Sequence, residues 1–201
     1  MAKVKRQSGA ASTATKERLR SAAVEVLASE GIRSATIRRI ADTADCNSAL
    51  ISYHFGSLNE LLLAALDVSS EARMTRYETA LAEVTTIRQL RAVLRRLYHE
   101  DRQSGHVRVL AELVAGGLMD PPFGAQVARR VDPWVVLTEQ TLRRAVPAAL
   151  RRRLPIREVA YGIVAMFLGL ELLGSLANDY GRADTTVDRL SKADVLKVAV
   201  R

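Results

Sequence analysis

Residues 36–57, TIRRIADTADCNSALISYHFGS, contain two short apolar-periodic segments that meet at a polar break. Ile37 and Ile40 show helical spacing before the break, and Ile51 continues that spacing after it. The letters DCN indicate a turn, and Asn47 suits the start of the second segment because its side chain can accept a backbone N–H. The stretch therefore predicts two helices of about eight residues joined by a tight turn.

A longer helix is expected just before this pair. Residues 15–29 place Leu19 and Val26 on one apolar face, and Gly31 ends the helix as C-terminal glycines commonly do. A helix of eight residues is about 12 Å long, close to the width of the DNA major groove. The spacing fits a helix-turn-helix over residues 36–55, and it equally fits an ordinary three-helix corner with solvated polar groups.

In a helix-turn-helix, the outward side chains of this pair would carry DNA recognition. Amide and hydroxyl groups pair with base edges, a small methyl group can meet thymine, and donors at helix ends suit phosphate oxygens. The residues expected near bases are Arg38, Asn47, Ser48, Ala49 and Ser52, with Arg38 reaching a guanine edge or a phosphate. Those expected to fix the backbone register are Thr36, Tyr53 and His54. Those expected to hold the pair against the first helix are Ile37, Ile40, Ala44, Ile51 and Phe55.

Length and composition narrow the class of protein. The 201 residues suffice for one or two domains with a buried core, and a hydrophobic fraction of 48% argues against disorder. The formal net charge of +8 favours a polyanionic partner such as nucleic acid. Half of that charge lies in residues 1–56, which hold nine Lys/Arg and five Asp/Glu. A single cysteine, Cys46, excludes an internal disulfide, and no ligand spacing indicates a metal or another cofactor.

Two stretches bear on the cellular compartment. The start, MAKVKRQSGAASTATKERLR, is basic but lacks the apolar run of a secretory signal. The most apolar window, EVAYGIVAMFLGLELLGSLAN, is interrupted by Glu171 and three glycines, which favours a buried helix over a membrane span. We therefore expect a cytoplasmic protein without a membrane partner.

Nearly every segment shows helical spacing, and none shows the strict alternation of a half-buried strand, so we predict an all-α fold of about nine helices. Residues 1–12 are expected to be a flexible basic arm, 13–57 a helix-turn-helix domain, and 58–201 a larger helical domain. The helices expected in the larger domain span about 58–84, 86–102, 105–119, 123–146, 155–179 and 185–199.

The helix expected at 155–179 offers a surface for self-association. It is apolar all round from Ile163 to Leu170, so it is expected to be buried on more than one side. One side can pack in its own domain and the other on a second copy in a two-fold interface, with a monomeric core as the alternative. The residues expected in the interface are Ile163, Met166, Gly169, Leu170 and Leu173.

The larger domain also contains candidates for a ligand pocket, which aromatic side chains with a few polar groups commonly line. They are Tyr77, Tyr98, Met119, Trp134, Phe167 and Glu171. Each fits plain core as well. Glu171, alone in an apolar stretch, fits either contact with a cationic ligand or a position at solvent or an interface. No acid–base or nucleophile–base pair indicates an enzyme.

The run TIRRIADTADCNSALISYHFGSLNELLLAAL, preceded by ERLRSAAVEVLASEGIRSAT, resembles the N-terminal domain of the tetracycline-repressor (TetR) family of bacterial regulators. The matching features include Gly31, Thr36, Ala44 and the YHFGS end, and the resemblance covers about residues 13–66. Three positions depart from the family pattern. Asp45 stands where the turn usually has Gly, Ser52 where an aromatic residue is frequent, and Leu58 where Lys is frequent.

The resemblance implies a transcription regulator, most simply a repressor, that binds a palindromic DNA operator as a homodimer and is released by a small molecule. It implies phosphate contacts for Thr36, Tyr53 and His54, and places Arg38 and the residues after Asn47 near bases. It also makes residues 58–201 the ligand-binding and dimerisation domain. Two alternatives stay open: a regulator controlled by a protein partner, and a small helical enzyme whose first helices merely resemble the motif.

Overall fold

The structure, a computed structural model, describes residues 2–101, 106–177 and 179–192. Within these residues it contains eleven α-helices and no strand, which confirms the all-α prediction. The first seven helices are α1 Ala2–Glu30, α2 Ile37–Thr43, α3 Ala49–Phe55, α4 Leu58–Ala82, α5 Ile87–Asp101, α6 His106–Met119 and α7 Pro121–Arg129. The last four are α8 Asp132–Ala145, α9 Ala148–Arg151, α10 Ile156–Ala177 and α11 Gly181–Lys192.

The chain forms two compact units that do not follow the boundary at residue 57. The first unit comprises Met1–Ala72 and Arg108–Arg130, and the second comprises Arg73–Val107 and Val131–Arg201. Helices α4 and α6 therefore contribute residues to both units. The first half of α4 belongs with the helix-turn-helix because it buries a row of leucines, which is a property of core helices.

Three predicted elements differ from the observed ones. Helix α1 begins at Ala2, so residues 2–12, expected as a flexible arm, are helical, in a segment without proline. The single helix expected at 123–146 is divided into α7 and α8, because Pro133 in the first turn of α8 cannot donate a backbone hydrogen bond. Helix α11 begins at Gly181, four residues before the predicted start, and its predicted end at 199 lies outside the described residues.

The first unit packs α1, α2 and α3 around one small core. Leu19 and Leu27 of α1, Ile40 of α2 and Ile51 of α3 are all fully buried. A side chain from α6 fixes the turn after α1, because a Glu112 carboxylate oxygen accepts the backbone N–H of Ile32 at 2.7 Å. Full burial of an aliphatic side chain contributes about 1.5–3 kcal/mol, so this core is sufficient to fix the orientation of two short helices.

The second unit is built from the later part of α4 and from α5, α8, α10 and α11. Helix α10 packs along α8, and α11 packs on both α5 and α10. The main core includes buried Leu97, Leu142 and Ala160, and a smaller core contains Tyr98, Ala183 and Val187. The same helices enclose the polar groups and the cavity described below.

Candidate nucleic-acid interface and inner polar cluster

Helix α2 begins with a capped turn that leaves Arg38 in solvent. The Thr36 hydroxyl accepts the backbone N–H of Arg39 at 3.2 Å, which satisfies one donor that a helix start otherwise leaves unpaired. Ile40 faces the core, and the side chain of Arg38 is 93% exposed. Its Nε lies 3.9 Å from an oxygen of Asp42. Because such exposed pairs contribute little, Arg38 can exchange Asp42 for a base edge or a phosphate.

The turn between α2 and α3 depends on one left-handed residue. Asp45 has φ +48°, and no other described residue except glycine has a positive φ. The backbone N–H groups of Asp45 and Cys46 donate to Asp42 O at 3.2 Å and Ala41 O at 3.0 Å. Asp is among the few residues that tolerate this conformation, so the turn forms with Asp in place of the usual glycine.

Helix α3 presents polar and small side chains to solvent. Asn47 Oδ1 accepts the backbone N–H of Ala49 at 2.8 Å, so Asn47 caps the helix as the sequence predicts. Ile51 points into the core, which leaves Ser52 and Tyr53 exposed. Seven of the eight residues expected to contact DNA are exposed, namely Thr36, Arg38, Asn47, Ser48, Ala49, Ser52 and Tyr53. His54 is half-buried, with its ring edge-on to Tyr53 at 4.9 Å between ring centres.

The expected core of the helix pair needs one correction. Ile40, Ala44 and Ile51 are buried as predicted, but Ile37 is exposed, because it is the first residue of α2 and lies at the rim of the core. Phe55 is half-buried, and the Lys16 ammonium lies 5.5 Å from the centre of its ring. The helices α2 and α3 are therefore held in the core by the residues in their middle turns rather than by Ile37.

Two basic side chains near the motif are engaged within the chain. Arg39 donates from Nε and Nη2 to the Glu30 carboxylate at 2.6–3.1 Å, and this hydrogen bonding lowers the pKa of Glu30. Arg18 donates to the sulfur of Cys46 at 3.3 Å, and the half-buried thiol donates to Ala44 O. Of the two adjacent arginines on α2, Arg38 is thus the one that faces outward.

Inside the second unit, five polar side chains form an inner polar cluster: Arg73, Arg76, Tyr77, Asp101 and Glu171. Asp101 is fully buried and accepts from Arg73 Nε at 2.5 Å, from Arg76, and from the Tyr77 hydroxyl at 2.6 Å. Burial raises the pKa of Tyr77, so the phenol stays protonated and donates at neutral pH. The Arg73 guanidinium also lies 5.0 Å from the Trp134 ring centre, a cation–π contact.

Glu171 stands apart from the rest of the inner polar cluster because it is buried without a hydrogen bond. Only 2% of the residue is exposed, and neither carboxylate oxygen has a hydrogen-bond partner among the described residues. Its nearest counter-charge is Arg73 Nη2 at 3.7 Å. Burial raises the pKa of Glu171, with Arg73 opposing the shift. The sequence alternatives of a solvent or interface position for Glu171 are therefore wrong, because the residue is buried inside the second unit.

The second unit also contains an apolar cavity of about 340 Å³ between α5, α10, α11 and the end of α8. Leu94, Leu142, Ile163 and Phe167 are among the side chains that line it. The polar residues of the lining are Arg91, Arg95 and Ser191. Its volume and apolar walls are those of a small-molecule pocket.

Of the six residues expected to line a pocket, only Phe167 lines the apolar cavity, while Tyr77 and Glu171 belong to the inner polar cluster. Tyr77 and Trp134 meet edge-to-face at 5.2 Å between ring centres, and Tyr98 and Phe167 do so at 5.7 Å. Met119 does not join them, because it ends α6 in the first unit and is 87% exposed. The sequence analysis missed Arg73 and the pairing of Asp101, since 28 residues separate the two partners and neither lies in a motif.

Helix α10 carries an exposed apolar stripe on the face opposite its own core. The stripe contains Tyr161, Ala165, Leu173 and Leu176, and a Cβ added at Gly169 would meet no atom within 4 Å. Of the predicted interface residues, Leu173 and Gly169 lie on or beside this stripe. Ile163 and Met166 line the cavity instead, and Leu170 packs against the core around Tyr98.

By length and composition alone, α10 is also apolar enough to cross a membrane, with a mean hydropathy of 1.9. Core helices of soluble proteins meet the same criterion. Glu171 of α10 contacts Arg73 of α4, and a carboxylate on this helix is more costly in lipid than in this partly polar interior.

Comparisons with known proteins place these features in a family. Residues 19–65 match the model of the bacterial regulatory proteins of the tetR family. No curated protein matches the chain by sequence. Among solved structures, a TetR-family member from Streptomyces coelicolor A3 is 25% identical, with a TM-score of 0.66 over 88% of this chain and 97% of that one.

Two further structures share the fold. The multidrug binding protein EbrR, solved with imidazole, is 25% identical, with a TM-score of 0.63 over 87% of this chain and 88% of that one. The fatty acid degradation regulator FadR from Bacillus halodurans is 15% identical, with a TM-score of 0.72 over 90% of this chain and 95% of that one. The match of residues 19–65 to the tetR-family model and the fold shared with TetR-family structures support a DNA-binding transcriptional regulator.

Proposed function

We propose that the protein is a cytoplasmic, ligand-responsive repressor that binds a palindromic operator as a homodimer and leaves it when a small molecule occupies the second unit. The observation that carries the DNA-binding part is the exposed face of α2 and α3, where seven of the eight expected contact residues lie. A net charge of +8 supports attraction to DNA phosphates. In a dimer, two copies of α3 would enter major grooves about 34 Å apart on one face of the duplex.

The exposed stripe of α10 supports dimerisation. A row of apolar residues on one helix face is costly in water, and a two-fold axis would bury it against its own copy. We expect Leu173→Glu with Leu176→Glu to convert the dimer to monomer in analytical ultracentrifugation. Leu118→Glu, at an equally exposed leucine of α6, is the control and leaves the dimer intact. A monomeric wild-type protein would contradict this part of the proposal.

The cavity of the second unit supports control by a small molecule. A regulator governed only by a protein partner would need no apolar cavity of this size, whereas this unit contains one of about 340 Å³. An effector can release DNA only if it binds the DNA-incompetent conformation more tightly than the competent one. Release therefore has to appear as a decrease in DNA affinity at saturating effector, with reciprocal weakening of effector binding by DNA.

DNA binding is tested by fluorescence anisotropy with palindromic sites from upstream of the protein's own gene and of neighbouring genes. We expect one site to bind preferentially, with an affinity that falls steeply between about 50 and 200 mM salt as counterions are released. Arg38→Ala weakens binding, while Arg129→Ala, at an exposed arginine of α7, serves as the matched control. Equal binding of all sites, or binding that ignores salt, would contradict the proposal.

A further inference from the structure

The inner polar cluster contains a buried carboxylate, Glu171, that accepts no hydrogen bond from the described residues. Asp101 is satisfied by Arg73, Arg76 and Tyr77, and the Arg76 side chain is 41% exposed, so water shares in its solvation. The deeply buried groups are therefore Arg73, Asp101 and Glu171, with side chains 11%, 0% and 3% exposed. When ionised, they amount to one positive and two negative charges. A buried carboxylate that accepts no hydrogen bond is disfavoured, so a proton or an added cation would stabilise Glu171 beyond its contact with Arg73.

Phe167 connects Glu171 with the apolar cavity. Phe167 lines the cavity and also packs edge-to-face on Tyr98. Glu171 follows Phe167 by four residues on α10, so the two side chains lie on the same face of the helix, one turn apart. A molecule whose apolar part fills the cavity would therefore meet a carboxylate one helical turn beyond the aromatic wall.

We propose that the cavity and Glu171 are the two ends of one effector site, which takes an amphipathic monocation with an apolar body and a protonated amine. The amine donates hydrogen bonds to the Glu171 carboxylate, and the apolar body occupies the cavity. The site rests on the proposed function, since it specifies the chemical class of the effector. In the absence of effector, burial favours the protonated form of Glu171, and the ammonium group of the effector takes the place of that proton.

Arg91 and Arg95 lie in the cavity lining, so the preference for a cation depends on Glu171 at the end of the site beyond Phe167. The guanidinium of Arg95, at the cavity, is engaged by Asp188 at 2.5 Å, and His99 Nε2 lies 3.5 Å from the same carboxylate. An anionic head group in the cavity would compete with Asp188 for Arg95, and beyond Phe167 it would meet Glu171. A cationic head group meets a carboxylate whose oxygens accept no hydrogen bond from the described residues.

The test compares three ligands with the same ten-carbon chain: decylammonium, 1-decanol and decanoate. Trp134 is the only tryptophan, and it lies beside Arg73, so its fluorescence reports on the site without a label. We expect decylammonium to bind at least about tenfold more tightly than the other two, because its charge-assisted hydrogen bond adds to the shared apolar contact. Equal affinities, or a preference for decanoate, would overturn the proposal.

Two variants locate the ends of the site. Glu171→Gln removes the charge at nearly the same volume, and we expect it to abolish the preference for decylammonium while decanol affinity stays within about threefold. Ile163→Phe reduces the cavity without adding a second tryptophan, and we expect it to weaken all three ligands. If decylammonium keeps its advantage in Glu171→Gln, or binds Ile163→Phe unchanged, the site is assigned wrongly. Circular dichroism establishes that both variants are folded before binding is measured.

Because the ligand-binding experiments are done without DNA, they test the effector site independently of the proposed regulatory function. If the protein binds its operator but shows no Glu171-dependent preference for the amine, the proposed function stands and the effector site is wrong. If the protein binds the amine through Glu171 but does not bind DNA, the effector site stands and the proposed function is wrong. Release of operator DNA by decylammonium from the wild type, but not from Glu171→Gln, is expected if both are correct.

Discussion

The two units differ in where their polar side chains lie and in how distant in sequence the partners of those side chains are. Around the helix-turn-helix, the Thr36 hydroxyl and the Asn47 amide lie at helix ends and accept backbone N–H groups only two or three residues away. In the second unit, Arg73, Asp101 and Glu171 come from three helices and meet inside the fold. The first arrangement is local and leaves side chains facing solvent for a partner. The second depends on the whole unit, and it leaves the Glu171 carboxylate without a hydrogen bond from any residue that the structure describes.

The sharpest test of this contrast is Arg73→Met. The change keeps an unbranched side chain over Trp134 but removes the charge that partners fully buried Asp101. Removing one member of a buried ion pair costs about 3–5 kcal/mol, so we expect a large decrease in the free energy of unfolding measured with urea.

Arg76→Met is the matched control, because the Arg76 side chain also pairs with Asp101 but is 41% exposed. It should cost much less than Arg73→Met. Equal losses in the two variants would show that the two ion pairs with Asp101 are solvated alike, and the contrast between the units would then fail.

The same contrast explains what could be predicted from the sequence. The capping of α2 and α3, the left-handed turn and the buried Ile40 and Ile51 all follow from residues within about twenty positions, where spacing and side-chain chemistry are decisive. Tyr98 and Trp134 are predicted as candidate pocket residues from their residue type alone. The partnership of Arg73 with Asp101 was not predictable, because it depends on how α4 and α5 pack, which no local pattern specifies.

A second prediction concerns DNA recognition by the first unit. Arg38→Ala or Ser48→Ala should alter which base is preferred at one operator position and reduce affinity by about 1–3 kcal/mol, as the loss of a base contact does. The double change Tyr53→Phe with His54→Ala should weaken binding equally for all sequences, because phosphate contacts carry no sequence information. Binding selections with each variant distinguish the two patterns. Unchanged affinity and preference in both cases would remove the assignment of contacts.

A third prediction uses pH to examine Glu171. Burial raises the pKa of this carboxyl from its ordinary value of 4.5, so folding favours the protonated form. Its contribution to stability is complete below that ordinary value and is lost as pH rises through the pKa of the folded state. Glu171→Gln, which stays neutral, should therefore stabilise the protein at neutral pH by about 1 kcal/mol, or roughly 2–4 °C in melting temperature. The advantage should vanish near pH 4, and an advantage that persists there would mean that ionisation is not its cause.

The smallest expected effect tests how local the helix-turn-helix is. Asp45 has φ +48°, a conformation that Asp tolerates, Ala tolerates less well and Gly adopts freely. Asp45→Ala should therefore destabilise the protein by about 1 kcal/mol, whereas Asp45→Gly should be neutral or slightly stabilising. Asp42→Ala, at an exposed helical position three residues earlier, controls for loss of a carboxylate. Since Asp45 lies outside the core, both Asp45 variants should leave ligand binding in the second unit unchanged. A loss of stability in Asp45→Gly equal to that in Asp45→Ala would show that the carboxylate, rather than the backbone conformation, holds this turn.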